Sequence, residues 1–451
     1  MALPQASRSD RGRTAYALLF LGLFVPFSYF NHSDGWNQGV RIAELHAIVL
    51  KGTLRIDDYL AYTGDRALID GHYYSEKAPA MVLFALPAFA LTVGVQKVLG
   101  IDPDSPPAGR VSQWIATAAS AGLLAALGGV AFFALLRARF DTLTSVLATF
   151  GLFLGSITWP YATSLFAHGG TIGLMAIALW GTLGQASPRR DVLAGLAAGF
   201  AVASEYPAIF PVALIGLHLG TLDLRRMLRY GLATLPAAAL ILANNYAISG
   251  SAFRLSYGAN PLFPELAATT SYGFSMPEAG AIRGLLWGEY RGLFFWSPAL
   301  LMSVPGFVYM FRRERSVAIM TMIGCLLILL QAAAFYVWFG GDAIGPRYLA
   351  PVLPLFGLAA AYGIQRWPEP GLVLGLISIG LMLGVTAIAI DPPGDVLTPL
   401  QSYYLVRLRD HRFADNLGTL AGAPLWLSLI VPLVLPIIAA WNWLKEPVAG
   451  G

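Results

Sequence analysis

The sequence consists mainly of long apolar runs separated by short polar segments. A membrane-spanning helix needs about 20 apolar residues, and helices shielded inside a bundle can be shorter. The pattern therefore predicts an all-α polytopic membrane protein, with residues 1–451 forming a single integral membrane domain. About twelve transmembrane helices are expected, at residues 15–31, 111–136, 142–159, 169–185, 191–204, 207–221, 230–249, 296–311, 316–339, 348–365, 371–390 and 420–443.

The distribution of charge predicts how these helices are oriented. With a cytoplasmic amino terminus, the inner segments carry 15 Lys and Arg against 7 Asp and Glu, whereas the outer segments carry 14 against 18. An excess of basic residues in short cytoplasmic loops sets membrane orientation. We therefore expect both termini in the cytoplasm. The first apolar run lacks a small-residue cleavage site, which favours an uncleaved span over a signal peptide.

One apolar run, residues 79–99, is not counted as a span. If it crossed the membrane, the basic segment RARFD would lie outside and every later loop would contradict the charge bias. Pro79 and Pro87 interrupt the run and Lys97 lies near its end, so we predict an interfacial helix against the outer leaflet. Three long extracytoplasmic loops follow from this topology, at residues 32–110, 250–295 and 391–419.

Composition excludes several other classes of protein. The chain is 57% hydrophobic and 12% charged, whereas soluble domains are about 25% charged. A single cysteine, Cys325, excludes an internal disulfide and a thiolate metal cage. There is no nucleic-acid-binding basic patch, Walker-type glycine loop or His-Glu-x-x-His motif, and the acidic pair at 102–104 lies in a proline-rich turn. We predict no nucleic-acid partner and no required cofactor, and leave a divalent cation open.

The segment GHYYSEKAPA at 71–80 places varied polar chemistry directly before the 79–99 run. The segment follows a first span and lies in a long outer loop that contains early acidic residues and an arginine. This arrangement resembles the polyprenyl-phosphate-dependent GT-C glycosyltransferases. These include protein O-mannosyltransferases and the aminoarabinose transferases that modify lipid A. The latter carry a Tyr-x-x-Lys-Pro-Pro element, matched here by Tyr74, Lys77 and Pro79, with Ala78 replacing the first proline. The segments GGDAIGPRYLAPVLPL (340–355) and GLFFWSPALL (292–301) resemble stretches found in bacterial members of the same group.

The resemblance implies a GT-C-like fold and a glycosyltransferase of a bacterial inner membrane with an extracytoplasmic active site. Its partners would be a polyprenyl-phosphate-linked sugar donor and an envelope glycan, lipid or protein acceptor. Family members place a catalytic aspartate just beyond the first span. If the membrane boundary is the reference, Asp34 takes that place; if Arg41 is the reference, the position falls near Gln38. Asp34 is preferred as the base, and Asp57 and Asp65 stay open as alternatives.

The expected chemistry assigns the remaining candidates. A leaving phosphate needs cations where water is partly excluded, and an acceptor hydroxyl needs a carboxylate to take its proton. Lys77 lies at the start of the interfacial helix, where the helix dipole adds to its charge. The candidates for the donor phosphate and lipid are Lys77, Arg41, Arg347 and Tyr74. Those for other substrate contacts are Tyr73, His72, His168, Glu205 and Asp342. The charged residues Arg254, Arg283, Glu289 and Arg291 of the 250–295 loop are left unranked.

Each candidate also has a purely structural interpretation. Lys77 could place its charge beside lipid headgroups, Tyr73 and Tyr74 could belong to an aromatic belt at the membrane surface, and Asp342 could pair with Arg347 to close a turn. His72, His168 and Glu205 could be ordinary loop or turn residues.

Two other functions fit the same topology. A transporter or flippase of a lipid-linked glycan would suit twelve spans, although such proteins usually show internal repeats and ionisable residues near the bilayer midplane. A non-catalytic scaffold for envelope assembly would not depend on Asp34 or Lys77.

Overall fold

A computed structural model shows a predominantly helical chain and describes residues 8–32, 34–263 and 272–445. The first twelve helices of the described chain are α1 (Arg8–Tyr29), α2 (Trp36–His46), α3 (Ala80–Val98), α4 (Pro106–Thr117), α5 (Leu123–Arg137), α6 (Thr142–Phe153), α7 (Thr158–Ala162), α8 (Ala167–Leu183), α9 (Pro188–Ser204), α10 (Ile209–Leu222), α11 (Leu224–Ala233) and α12 (Leu235–Ser249). Later α-helices span Ala279–Trp287, Leu293–Trp296, Ser303–Arg313, Arg315–Ala333, Leu353–Arg366, Pro368–Ile388, Leu405–Arg409, Leu417–Leu420 and Leu425–Leu444. The predicted fold class is confirmed.

Within the described residues, seven helices are long and apolar enough to cross a membrane. They span Ala80–Val98, Pro106–Arg137, Leu224–Ser249, Arg315–Ala333, Arg347–Arg366, Pro368–Ile388 and Leu425–Leu444. Three shorter apolar helices cover Thr142–Phe153, Ala167–Leu183 and Tyr206–Leu222. Helices therefore occur in every predicted span, but the predicted number of twelve membrane crossings is not confirmed. The helix expected at 79–99 is present as α3, and its interfacial placement stays a prediction because its length also suits a span.

Small residues let the helices of the bundle cross closely. A Cβ atom added to Gly128 of α5 would lie 2.3 Å from the Cα of Gly173 in α8. A Cβ on Gly306 would lie 1.9 Å from the carbonyl oxygen of Ala359 in the Leu353–Arg366 helix. Such contacts are typical of membrane bundles, where packing and not apolar burial drives helix association. The close crossings hold the helix ends that carry the outer loops.

A small β-hairpin on the predicted outer side is the part of the fold that the all-α prediction lacked. Strands β1 (Arg66–Ile69) and β2 (His72–Ser75) pair antiparallel, with Ile69 opposite His72. Asp70 and Gly71 connect them with φ of 50° and 81°, as a two-residue Asp-Gly turn requires. Residues 72–75 of the motif GHYYSEKAPA are therefore strand, and Glu76 and Lys77 follow directly after the strand ends.

Strand β2 of the hairpin lies against α2, which in turn packs against α3. Ile42 and Leu45 of α2 share an apolar cluster with Val82 and Phe89 of α3. This cluster fixes the position of the chain between β2 and α3, which contains Lys77. Of the other predicted outer loops, 391–419 is described in full, whereas residues 264–271 of the 250–295 loop, including Pro264, lie outside the described residues.

Candidate functional site

Two cavities lie side by side around the start of α3 and share one wall. The first has a volume of about 620 Å³ and a lining rich in charge, which includes Asp34, Trp36, Asp65, Asp342 and Asp391. The second has a volume of about 520 Å³ and a mainly apolar lining, which includes Ala78, Pro207, Phe210, Leu255 and Phe274. The shared wall contains Glu76, Lys77, Tyr257, Phe335, Arg347 and Tyr348.

Lys77 is held in that wall by two carboxylates. Its ammonium nitrogen lies 3.0 Å from Asp65 Oδ2 and 2.6 Å from Glu76 Oε1. Asn260 donates a hydrogen bond of 2.8 Å to the other oxygen of Glu76. Burial acts to lower the pKa of Lys77. The negative charges of Asp65 and Glu76 together have the larger effect, so the pKa lies above its ordinary value. Lys77 is therefore a charged group at the junction of the polar and apolar cavities.

Arg347 is the second cation of the shared wall, and it comes from a distant part of the chain. It opens a short helical turn, Arg347–Val352, ahead of the Leu353–Arg366 helix. Its guanidinium carbon lies 5.7 Å from the ring centre of Phe166 and 5.2 Å from that of Tyr348. Within the described chain its Nε is buried without a hydrogen-bond partner. Arg347 therefore presents an unused donor in the wall where Lys77 stands.

Arg41 lies on the apolar-cavity side of the site. It is buried on α2, and its Nη1 donates to the backbone and side-chain oxygens of Asn37, at 2.7 and 2.6 Å. Burial lowers the pKa of Arg41 to about 10, opposed by Glu205, Glu44 and Asp65. The guanidinium therefore stays charged at neutral pH. Arg41 adds a third cation to this side of the site.

His168 and Glu205, which are far apart in sequence, are in direct side-chain contact at the apolar cavity. Glu205 follows the last residue of α9, and its Oε1 contacts Nδ1 of His168 in the first turn of α8. The His168 ring packs edge-on against Tyr161, with ring centres 4.8 Å apart. Both residues line the mainly apolar cavity. The structure thus brings together two residues that the sequence suggested separately.

Besides Asp65, three aspartates line the charged cavity. Asp34 forms no ion pair with any described residue. Asp342 Oδ1 accepts a 2.7 Å hydrogen bond from the backbone of Gly394. The alternative Asp342–Arg347 pair is not formed in the described structure. Burial raises the pKa of Asp391 to about 6, and the charges of Asp34 and Asp342 add to the effect.

Four predicted residues are not brought into either cavity lining. Asp57 accepts hydrogen bonds from His72 Nδ1 at 2.9 Å and from the backbone of Tyr73 at 2.8 Å, and so ties down β2. Tyr73 packs beside a small cluster that includes Val40. Tyr74 packs with Ala67, Ile69 and Ile248. The structure therefore gives Asp57, His72, Tyr73 and Tyr74 packing and hydrogen-bonding contacts outside the two cavity linings.

Several residues of the site were missed by the sequence analysis. The cavity linings include Trp36, Tyr257, Tyr348 and Asp391, and Asn260 donates a hydrogen bond to Glu76. Trp36 and Asp391 each follow the end of a long apolar helix, which is the signal that could have found them. Nothing in the local sequence distinguishes Tyr257 or Asn260, because they reach the site through an irregular loop. No group of three or more His, Cys, Asp or Glu suited to a metal ion occurs among the described residues.

The whole fold is similar to that of solved structures. The chain superposes on ArnT from Cupriavidus metallidurans, in a crystal structure with undecaprenyl phosphate bound, with a TM-score of 0.51 and 17% identity over 96% of this chain and 75% of ArnT. The chain has a GT-C-like fold. At this identity the likeness concerns the fold alone, and it confirms the architecture that the resemblance of short motifs implied.

Two other solved structures match with TM-scores below 0.5. The arabinosyltransferase EmbB from Mycobacterium smegmatis matches with a TM-score of 0.45 and 12% identity, over 99% of this chain and 43% of EmbB. The archaeal oligosaccharyltransferase AglB from Archaeoglobus fulgidus matches with a TM-score of 0.47 and 12% identity, over 97% of this chain and 56% of AglB. No family model matches the sequence. No curated protein matches it either.

Proposed function

We propose that this protein is a membrane glycosyltransferase that moves a sugar from a polyprenyl-monophosphate carrier to an acceptor on the extracytoplasmic face of a bacterial inner membrane. One observation carries the proposal: a polar and an apolar cavity meet at a wall that holds Lys77 and Arg347. A lipid-linked sugar has the same layout, because an apolar chain and a polar sugar meet at an anionic phosphate. The undecaprenyl phosphate bound to ArnT supports this class of carrier.

The phosphate would lie between Lys77 and Arg347, with the first isoprene units in the apolar cavity. Arginine suits the site because its planar group can bind two phosphate oxygens at once. The Nε of Arg347, buried without a described partner, would gain an acceptor when the phosphate binds. Arg41 would add positive charge from the apolar side, where low water content strengthens each ionic interaction. His168 and Glu205 would border the chain near the phosphate.

The transfer step requires a base and a leaving group. The acceptor oxygen attacks the anomeric carbon of the sugar, the bond from that carbon to the phosphate oxygen breaks, and the acceptor proton passes to a carboxylate. The electrons of the broken bond leave with the phosphate, and Lys77 and Arg347 stabilise the negative charge that develops on it. We assign Asp34 as the base, since it faces the cavity without an ion-pair partner. Asp65 already neutralises Lys77 and fits the role less well. A single displacement of this kind inverts the anomeric centre.

A turnover assay separates this proposal from transport. The purified protein is reconstituted in liposomes with undecaprenyl-phosphate hexose, N-acetylhexosamine and pentose donors and with bacterial envelope extract as acceptor. The proposal predicts release of free undecaprenyl phosphate and its loss in Asp34→Asn. Movement of intact donor between leaflets without cleavage would support the transporter instead. Neither cleavage nor movement, with no binding of any of these lipids, would favour the scaffold.

A further inference from the structure

Trp36 is a large aromatic side chain that stays exposed inside the charged cavity. It begins helix α2, is 54% exposed, and lines the same cavity as Asp34, Asp65 and Lys77. A tryptophan that anchors a protein at the bilayer surface faces lipid, whereas Trp36 faces a concave space lined by charge. Its exposure therefore needs another explanation.

The position of the Trp36 ring is fixed by the backbone behind it. A Cβ atom on Gly64 would lie 2.8 Å from both Cε3 and Cζ3 of the indole, so the ring rests against the backbone of Gly64. Thr63 Oγ1 donates a 2.8 Å hydrogen bond to the carbonyl oxygen of Trp36. The absence of a side chain at Gly64 leaves room for the ring, which is held as a preformed surface.

This surface is joined to the phosphate-binding lysine through a short piece of chain. The residue after Gly64 is Asp65, whose carboxylate lies 3.0 Å from Lys77 Nζ. Sugar rings present C–H bonds on one face and hydroxyl groups around the edge. The C–H bonds suit the negative face of an aromatic ring, and carboxylates such as those of Asp34 and Asp391 accept hydrogen bonds from the hydroxyl groups.

We propose that the Trp36 indole is the platform on which the transferred sugar of the donor stacks. This inference rests on the proposed function and adds to it a specificity-determining residue for the sugar. The platform lies at the right place because a sugar attached to a phosphate at Lys77 extends into the charged cavity. Stacking accepts any pyranose with an open C–H face, while the surrounding carboxylates select among hydroxyl patterns.

The test compares lipids that differ only in the sugar. Dissociation constants are measured for undecaprenyl phosphate and for its hexose, N-acetylhexosamine and pentose conjugates. Trp36→Ala should weaken binding of the sugar-bearing lipids by about tenfold, the scale of losing one stacked ring and its buried area, and leave bare undecaprenyl phosphate within about twofold. Trp36→Phe should restore most of the difference. Trp426→Ala, which removes an exposed tryptophan outside both cavity linings, serves as the control.

Gly64→Ala gives an independent check, since it displaces the ring without removing it. Gly64→Ala should weaken the binding of the sugar-bearing lipids in the wild-type background. In the Trp36→Ala background it should have no further effect on their binding. If Trp36→Ala weakened the binding of bare and sugar-bearing lipids equally, or weakened the binding of neither, the proposed role of Trp36 would be wrong. Failure of the wild-type protein to bind undecaprenyl phosphate at all would instead overturn the proposed function, so the two failures are distinguishable.

Discussion

The Lys77 ammonium nitrogen lies 3.0 Å from the carboxylate of Asp65, in the wall between the charged and the apolar cavity. Glu76 holds the same nitrogen at 2.6 Å. These two carboxylates thus partly neutralise the positive charge of Lys77, which would attract a lipid phosphate. On the proposed function, a phosphate at Lys77 would be attracted by the lysine and repelled by the two carboxylates, and this balance would keep the site from holding the spent carrier too tightly.

Asp65→Asn should therefore tighten the binding of undecaprenyl phosphate, by about tenfold, because one negative charge leaves a mostly buried cluster of low effective dielectric. The measurement is the dissociation constant in detergent at neutral pH. Asp58→Asn, at an exposed aspartate paired with Lys51, is the control and should change little. Weaker binding in Asp65→Asn would mean that the aspartate orients Lys77 more than it opposes the phosphate.

Gly340 and Gly341 provide a matched pair that tests Arg347. Both have positive φ, 81° and 65°, so an alanine costs about 1 kcal/mol of backbone strain at either position. Only at Gly340 would the added Cβ meet Arg347, 2.7 Å from its Nε; at Gly341 the space is open. We expect Gly340→Ala to weaken undecaprenyl phosphate binding by about tenfold and Gly341→Ala to leave it nearly unchanged. Equal effects of the two substitutions would argue against Arg347 as a phosphate ligand.

Asp34 and Asp57 should respond differently to substitution. Asp34→Asn is expected to reduce donor cleavage by about 10²- to 10⁴-fold, the usual contribution of a general base, with lipid binding preserved. Asp57→Ala removes the hydrogen bonds to His72 and Tyr73, so it should lower the thermal unfolding temperature and leave cleavage largely intact. Turnover and unfolding are measured on the same preparations. The reverse pattern would assign the base to Asp57.

The buried carboxyl of Glu44 should make the stability of the folded protein depend on pH. Burial raises the pKa of this carboxyl on α2 from its ordinary value of 4.5 to about 7, while a hydrogen bond with Ser75 and the charge of Arg41 act in the opposite direction. The folded protein then binds a proton that the unfolded chain has released, so this stabilising contribution is present below pH 4.5 and is lost as pH rises towards and through 7. The whole effect is on the order of 3 kcal/mol.

The check is the unfolding temperature of wild type and Glu44→Gln in detergent from pH 5 to pH 8. Glutamine keeps the shape of the side chain and cannot ionise. Wild type should lose stability relative to Glu44→Gln across this range. Parallel curves would show that Glu44 titrates near its ordinary pKa.

The hydrophobic pattern was sufficient to predict an all-α membrane protein, and the resemblance of short motifs supplied the GT-C-like part of the fold class. Apolar runs identify helices directly, since the bilayer demands about 20 such residues. The hairpin β1–β2 was not predicted, although Asp70 and Gly71 carry the turn signal, because two strands of four residues are short against the surrounding helical pattern. Helix length alone does not determine the number of membrane crossings, because a helix such as α3 is long enough to span the membrane and could also lie at its surface.

The candidate site was predictable only where a motif marked it. Lys77 and Arg347 lie in segments that resembled known glycosyltransferases, and the structure places both in one wall. Tyr73 and Tyr74 belong to the same motif, but the alternation of side chains along β2 directs them into small clusters away from the cavities. Trp36 was missed although it follows the long apolar helix α1. The room that Gly64 leaves for its ring, 28 positions further along the chain, is a relationship that no local pattern reveals.

The most direct test of the account is native mass spectrometry of the purified protein with undecaprenyl phosphate. Lys77→Ala is compared with Lys97→Ala, which removes an exposed lysine at the other end of the same helix α3. We predict selective binding of one undecaprenyl phosphate to wild type and to Lys97→Ala, weakened by about 30-fold in Lys77→Ala because a charge-assisted hydrogen bond is lost. Equal binding to all three proteins would contradict the account and remove Lys77 from the phosphate site.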